Sequence, residues 1–288
     1  MCVKYVLKKM SWQISDGYDV LKNVHRITLY STVSGKHLRH GNRPRFFLHL
    51  DMNCFYAQVE QQCFDLYGMP LIVGGWRKSD GILKGIVATA SYEGRKLGIR
   101  TGMSALEAQQ LCPYVICMQV HYEKYQAISA EIRRILDRFS PSVESYSMDE
   151  YFLDLGSASR WDEAMLRSVA AQVKNEIYRS TRLRCSVGVA FTKTYAKLAS
   201  SMQKPDGLTL LVDPDRILSA THELELSKVW GIGTRRMARL SAAGVSTIGE
   251  ARTLGAGPFI KLFGTYFGRL LWEVVTGRDV GGVVEELF

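Results

Sequence analysis

Apolar residues recur along the chain with two periods, one typical of buried strands and the other of amphipathic helices. Short apolar runs between Gly, Pro and charged residues predict strands at 46–50, 71–73, 86–89, 143–146, 151–155, 185–191 and 208–212. Apolar residues three and four positions apart predict helices within 104–112, 125–139 and 165–177. This order favours an α+β fold in which a largely antiparallel sheet carries its helices on one face.

Breaker residues divide the chain into three parts. The first part ends in the cluster Gly41-Asn42-Arg43-Pro44, so a domain is expected to start near Arg45. After residue 214 no convincing strand follows, and several glycines interrupt short helical stretches. We therefore expect a small helical domain from about residue 215 onward.

The charge of the chain favours a polyanionic partner such as nucleic acid. The 288 residues include 37 Lys and Arg against 28 Asp and Glu, a formal net charge of +9. Nine Lys and Arg but only two Asp fall within residues 1–45, so most of the excess lies in this leader. No apolar run approaches the roughly 18 residues that a membrane helix needs. The six cysteines form no CxxC pair that would indicate a zinc site or a disulfide framework.

Three carboxylates interrupt the predicted strands, where acids are rare unless a positive charge compensates them. Asp51 directly follows the first strand, and Asp149 with Glu150 lies between the fourth and the fifth. Adjacent side chains of one extended strand point to opposite faces, so only a bend allows both to reach one ion. A hairpin turn at 148–150 beside the first strand would bring all three together, and oxygen ligands favour Mg²⁺ or Mn²⁺. The alternative that the spacing leaves open is an exposed acidic turn with an unrelated strand-end aspartate.

Four motifs of this sequence resemble those of the Y-family translesion DNA polymerases of the DinB/UmuC type. In chain order they are HLDMNCFYAQVE at 49–60, ATASYEGRKLGIRTGM at 88–103, SYSMDE at 145–150, and SVGVAFTKTYAKLAS at 186–200 followed by KPDG at 204–207. Their shared order identifies the chain as a member of that family. The resemblance implies a right-hand polymerase fold, made of a basic N-terminal extension (1–45), a palm (46–56 and 120–214), small fingers (57–119) and a helical thumb (215–284). The little-finger domain that usually follows the thumb is expected to be absent.

The resemblance also implies a two-metal-ion site in the palm. It makes Asp51, Asp149 and Glu150 the catalytic carboxylates, with the two aspartates bridging the ions and Glu150 binding the ion that faces the primer terminus. The backbone carbonyl of Met52 is expected as an additional ligand. Two Mg²⁺ ions are the expected cofactor, with Mn²⁺ as a substitute.

The same resemblance assigns contacts to the incoming nucleotide. The expected ligands of the triphosphate are Thr89, Tyr92, Arg95 and Lys204. Phe55 and Tyr56 are expected beside the sugar, with Tyr56 as the steric gate, an aromatic ring that leaves no room for a ribose 2′-hydroxyl. Ile86 and Ala88 are expected to form the roof over the nascent base pair, and Gly94 stands where the family usually has alanine. From residue type alone, a core tyrosine and solvated basic side chains are the alternatives.

A Gly-rich turn in the helical region resembles the helix-hairpin-helix of the family's thumb. Glycines allow backbone N–H groups to approach a phosphate, and the next helix N-terminus adds its positive dipole end. The expected DNA contacts are Gly231, Gly233, Thr234, Arg235 and Arg236. Residues 216–280 hold nine basic and five acidic residues, which fits a polyanionic partner. A tight turn between two helices without a DNA role is the alternative.

The predicted function is therefore that of a low-fidelity, DNA-templated DNA polymerase acting in translesion synthesis, DNA repair and the SOS response. The expected partners are primer–template DNA and deoxynucleoside triphosphates, with a sliding clamp as a candidate partner of a full-length form. No membrane partner is expected, and the chain is expected to be a monomer. The expected location is the cytoplasm, on the nucleoid of a bacterium, or the nucleus of a eukaryote. The alternative is a catalytically weak or inactive DNA-binding or regulatory remnant that lacks the little finger.

Overall fold

A computed structural model of the chain describes residues 44–77, 79–279 and 282–283. The extension predicted for residues 1–45 therefore lies almost wholly outside the described residues. The strands within them are β1 (Arg45–Met52), β2 (Leu71–Arg77), β3 (Leu83–Ala90), β4 (Ile116–Met118), β5 (Val143–Ser145), β6 (Glu150–Ser157), β7 (Cys185–Ala190) and β8 (Leu208–Leu211). The α-helices are α1 (Phe55–Phe64), α2 (Tyr92–Lys96), α3 (Ala105–Leu111), α4 (Tyr122–Leu136), α5 (Glu163–Thr181), α6 (Lys193–Met202), α7 (Pro214–Thr221), α8 (Thr234–Ala242), α9 (Ile248–Leu254), α10 (Gly257–Phe263) and α11 (Thr265–Val275).

Five strands form the main sheet, in the order β5-β6-β1-β7-β8. Neighbouring strands are antiparallel except β7 and β8, which are parallel. All of β7 is buried, as are Leu48 and Leu50 of β1, so the apolar runs that predict these strands form the centre of the sheet. The predicted α+β fold with a largely antiparallel sheet is confirmed.

Helices cover both faces of the main sheet. α4 and α5 pack in one apolar cluster on the face to which Leu50 points. α6 lies on the opposite face, where Ser200 Oγ is 2.8 Å from Nδ1 of His49. Gly188 of β7 allows this close approach, because a Cβ there would collide with the Ala196 carbonyl and the Ser200 amide. The sequence pattern predicts helices on one face of the sheet only, whereas the structure has α6 on the opposite face. Its position depends on Gly188, which contributes nothing to the pattern of apolar residues.

A second sheet of three strands, in the order β3-β2-β4, lies in the segment predicted as fingers. β2 and β3 form a hairpin whose register is irregular between Val73 and Gly75. Between them, Gly74 has a φ of +116° and lies too close to the Ile86 carbonyl for any side chain. β4 pairs parallel with β2 and was not predicted, because its three half-buried residues give no periodicity to read.

The described chain beyond Pro214 is helical as predicted. Residues 214–279 form α-helices and one short 3-10 helix (Leu226–Lys228), and they contain no strand. Leu240 and Phe259 of this region share one apolar cluster with Phe47 of β1 and Tyr195 of α6. The helical region is therefore packed directly onto the main sheet. Among the described residues, no helix is long and apolar enough to span a membrane.

Candidate active site

Three carboxylates meet at the end of β1. Asp51 lies directly opposite Glu150 of β6 in the antiparallel register, and the Met52 amide donates to the Asp149 carbonyl at 2.9 Å. Ser147 Oγ donates to Asp149 Oδ1 at 2.6 Å, which holds this side chain at the turn between β5 and β6. The predicted bend is thus present between β5 and β6. It brings the three acids together at the end of β1 and the start of β6.

Two lysines pair with these acids. Lys204 Nζ lies 2.5 Å from Asp51 Oδ1, and Lys197 of α6 pairs with Glu150. Sequence reasoning selected Lys204 but missed Lys197. No local pattern indicates Lys197, because its partner is 47 positions away. Lys193, one helical turn earlier, also pairs with an acid of the β5–β6 hairpin.

Burial raises the pKa of two of these carboxylates despite the nearby lysines. It raises the pKa of Asp51 to about 6 although Lys204 acts to lower it, and Glu150 adds to the rise. Burial also raises the pKa of Asp149, against the hydrogen bond from Ser147. Two half-buried aspartates with raised pKa values, beside a third carboxylate, form an environment that a cation stabilises.

The chemistry of these donors suits a hard divalent cation, because carboxylate oxygens are the ligands that Mg²⁺ and Mn²⁺ prefer. Among the described residues, no three Asp, Glu, His or Cys side chains are already grouped so that they could hold an ion. Lys204 and Lys197 instead occupy oxygens of Asp51 and Glu150. The donor set fits a divalent ion, because each lysine pairs with one oxygen of its carboxylate and each carboxylate has a second oxygen that can bind a cation.

The predicted triphosphate ligands of the fingers lie on β3 and α2. Thr89 is half-buried near the end of β3, and Tyr92 is the first residue of α2. Arg95 Nε donates to the Ala90 carbonyl at 3.0 Å, and its guanidinium carbon lies 5.1 Å from the centre of the Tyr92 ring. Burial raises the pKa of Tyr92 to about 12, and the charge of Asp51 adds to the rise. The fingers therefore present an oriented, exposed guanidinium on the carboxylate side.

Tyr56, in the first turn of α1, also faces the carboxylates. Phe55 beside it is buried, whereas Tyr56 is half-buried and stacks on Tyr125. Burial raises the pKa of Tyr56, and the charge of Asp149 contributes to the rise. The two predicted roof residues lie on β3, where Ile86 is exposed and Ala88 is half-buried.

The predicted DNA-binding turn joins the short 3-10 helix to α8. Gly231 has a φ of +90°, and Gly233 is the N-cap of α8, with open space around both positions. Thr234 and Arg235 are exposed. Arg236 donates to the Gly231 carbonyl and stacks over the Phe267 ring at 5.1 Å.

Trp230 links this turn to the carboxylate hairpin and was not singled out from the sequence. Its ring centre lies 5.2 Å from that of Tyr146, in the turn before Asp149. Lys197 Nζ lies 5.0 Å from the Tyr146 ring centre and 6.0 Å from that of Trp230. The lysine that pairs with Glu150 is therefore held between two aromatic rings.

The main sheet, the small second sheet and the helical region are together the architecture of the palm, fingers and thumb of Y-family DNA polymerases. A solved structure of DinB from Sulfolobus solfataricus matches with 28% identity and a TM-score of 0.73, covering 83% of this chain and 69% of that one. A Y-family DNA polymerase chimera matches with 27% identity and a TM-score of 0.76, covering 84% and 70%. The sequence model of the impB/mucB/samB family matches residues 50–201. The chain belongs to this family, which confirms the resemblance drawn from its motifs.

Bacterial relatives are similar over most of this chain. DNA polymerase IV of Shewanella amazonensis is 35% identical over 241 residues, which cover 83% of this chain and 66% of the relative. DNA polymerase IV 2 of Mesorhizobium japonicum is 37% identical over 233 residues, 81% of this chain and 54% of the relative. The chain thus spans between about half and two thirds of the length of these relatives.

Proposed function

We propose that this chain is a DNA-templated DNA polymerase of low fidelity that acts in translesion synthesis and DNA repair. The observation that carries the proposal is the meeting of Asp51, Asp149 and Glu150 at the end of β1 and the start of β6. The names of the relatives and a neighbour titled as an insertion ternary complex of Dbh DNA polymerase, 28% identical with a TM-score of 0.74, support it. Because the chain spans only part of the relatives, its activity is inferred from its own site.

The three carboxylates would hold two divalent ions, Mg²⁺ in the first instance with Mn²⁺ as a substitute. Asp51 and Asp149 would bridge them, Glu150 would bind the ion beside the primer terminus, and the Met52 carbonyl would add a ligand. When bound, such ions stabilise the attacking and leaving oxygens of an in-line phosphoryl transfer. Bond formation joins the primer 3′ oxygen to the α-phosphorus of the nucleotide, and pyrophosphate leaves.

Side chains of the fingers and palm would orient the triphosphate. The Arg95 guanidinium is held by the Ala90 carbonyl and the Tyr92 ring, so its remaining N–H groups can donate to phosphate oxygens. Thr89 and Tyr92 would donate their hydroxyls. Lys204 would supply a point charge after leaving Asp51. Positioning of this kind is the main contribution a protein makes to phosphoryl transfer.

The nucleotide itself would be selected by its shape. Tyr56 would act as the steric gate against a 2′-hydroxyl, with the buried Phe55 beside it. Ile86, which is 57% exposed, would form the roof of the base pair with Ala88. A roof of two side chains on a three-stranded sheet would tolerate damaged templates.

The thumb would hold the primer–template duplex through its backbone. Gly231, Gly233, Thr234, Arg235 and Arg236 would contact phosphates, and Arg236 would also stabilise the turn through its hydrogen bond to the Gly231 carbonyl. The chain would act as a monomer on genomic DNA, with deoxynucleoside triphosphates as substrates and a sliding clamp as the partner of a longer form. In a bacterium the chain would act at the nucleoid.

Primer extension tests the proposal. With Mg²⁺, the chain should extend a primer on undamaged and abasic templates, and Asp149→Ala should lower the rate by about a thousandfold or more, because a misplaced ion removes several kcal/mol of transition-state stabilisation. A gel shift should show DNA binding nearly unchanged. Asp137→Ala, which removes an exposed carboxylate at the end of α4, is the matched control and should retain activity.

Two results would contradict the proposal. Full activity of Asp149→Ala would remove the carboxylates from the mechanism. DNA binding without extension by the unaltered chain would favour a non-catalytic DNA-binding role instead.

A further inference from the structure

Tyr56 has a second aromatic ring packed directly behind it. The ring centres of Tyr56 and Tyr125 lie 4.2 Å apart, and the two planes differ by 16°. Tyr122 meets Tyr56 edge-on at 6.4 Å and 90°. Among the described residues, none forms a hydrogen bond with the Tyr56 hydroxyl, so packing alone sets the position of this ring.

Tyr125 itself is locked in place by a buried carboxylate. It is fully buried, and its hydroxyl donates to Glu60 Oε1 at 2.6 Å. Glu60 is also fully buried, and Lys124 Nζ donates to both of its oxygens at 2.7 Å. Burial raises the pKa of Tyr125, and the hydrogen bond to Glu60 adds to the rise, so the hydroxyl stays a donor. The ring behind Tyr56 therefore cannot turn aside without breaking a buried charged contact.

The lock joins the two helices that flank the gate. Glu60 stands four residues after Tyr56 on α1, one helical turn away, whereas Tyr125 and Lys124 belong to α4. Tyr125 also contacts Phe55, with ring centres 6.2 Å apart. Movement of α1 relative to α4 would separate both the stacked rings and the hydrogen bond. The stacking of Tyr125 on Tyr56 is therefore part of the contact between α1 and α4.

We propose that Tyr125 is a positioning residue that determines how strongly Tyr56 discriminates against ribonucleotides. The inference rests on the proposed function, in which Tyr56 is the gate. A steric gate excludes a 2′-hydroxyl only if its ring cannot retreat, and a close-packed ring behind it prevents that retreat. Removal of the Tyr125 ring would leave a cavity into which Tyr56 can move, because buried cavities are closed by neighbouring side chains only in part.

Sugar discrimination measures this effect directly. The ratio of kcat/KM for a deoxynucleotide to kcat/KM for the matching ribonucleotide should fall by about tenfold or more in Tyr125→Leu, mainly through faster ribonucleotide incorporation. Tyr125→Phe keeps the stacked ring and should stay within about threefold of the unaltered protein. Tyr125→Met fills a similar volume with a flexible chain and should also lose discrimination, which provides a second test if the leucine variant does not fold.

Two controls separate positioning from general loosening. Ile132→Ala creates a cavity on the same helix two turns further on, where the side chain is fully buried, and it should leave the ratio unchanged. Tyr56→Ala should abolish most discrimination. If Tyr56→Ala leaves the ratio unchanged, the gate in the proposed function is wrong. If Tyr56→Ala lowers the ratio but Tyr125→Leu and Tyr125→Met do not, or if Ile132→Ala lowers it equally, the positioning role is overturned while the gate stands.

Discussion

Asp51 and the proposed triphosphate would compete for the ammonium group of Lys204. Its ammonium group lies 2.5 Å from Asp51, yet the same group is the proposed ligand of the triphosphate. One ammonium has three donors but a single position, so a phosphate oxygen that attracts Lys204 weakens its pairing with Asp51. Asp51 then has less positive charge beside it and attracts a cation more strongly. At the scale of single residues, binding of nucleotide and of metal would therefore be coupled through one lysine.

Gly94→Ala is a test of local energetics in the helix that carries Arg95. Gly94 is buried in α2, and a Cβ there would lie 3.6 Å from Ile99 Cδ1 and 3.7 Å from Ala90 Cβ, which is ordinary contact. The alanine should stabilise the fold by about 0.5–1 kcal/mol through helix propensity, which corresponds to a rise in Tm of about 1–4 °C. Gly188→Ala, which would collide with α6, should instead lower the Tm sharply. A lower Tm for Gly94→Ala would contradict this reading of the helix.

At the scale of elements, the loop between α6 and β8 is held by one aspartate. Asp206 accepts from Lys174 Nζ of α5 at 2.7 Å and from Arg184 Nη1 at 2.6 Å. Burial acts to raise the pKa of Asp206, but the hydrogen bonds and charges of these two cations lower it below its ordinary value. The loop that presents Lys204 is thus tied to α5 and to the start of β7.

Asp206→Asn should destabilise the fold in a pH-dependent way. Because the pKa is lower in the folded state, the ion pairs contribute fully above the unfolded value of 3.8 and lose their contribution as the pH falls through the folded value. The side chain is about a third exposed, so the loss at pH 7 should be about 1 kcal/mol. Urea unfolding at pH 7 and pH 3 should show the gap between the two proteins narrowing at the lower pH. An equal gap at both values would exclude the ionised pair as its cause.

At the scale of the whole molecule, palm and thumb share one core. Tyr195 of α6 accepts a hydrogen bond from Arg252 of α9 at 2.8 Å and donates to the Val275 carbonyl of α11 at 3.0 Å. Gly277 lies against the same ring so closely that a Cβ would collide with it. The apolar cluster around Tyr195 contains residues of both regions. Separation of the palm from the thumb would expose the apolar residues of this shared cluster to water.

Palm and thumb should therefore unfold together. Hydrogen exchange in increasing urea should show amides of β7 and of α9 losing protection in the same transition. Tyr195→Phe leaves the half-buried Arg252 without this acceptor and should lower the stability of both segments by about 1–3 kcal/mol. Loss of thumb protection at a lower urea concentration than that of the palm would contradict a shared core.

Much of the fold could be predicted because its signals are local. The centres of β1 and β7, the spacing of α4 and α5, and the breakers before α8 all reflect neighbours in the chain. The short β4 and the position of α6 could not be predicted, since one lacks periodicity and the other depends on the missing side chain of Gly188. Predictions failed where packing between distant segments carries the information.

The sequence by itself determined the family, the order of the elements and the residues Asp51, Asp149 and Glu150 as a candidate metal-binding group, because residue types and short spacings carry that information. Only the tertiary structure decided what surrounds them. Lys197 pairs with Glu150 across 47 positions of the chain, and Tyr125 reaches Glu60 across 65. Such pairings depend on how sheets and helices close around a core. They are therefore set by packing, which no local pattern records.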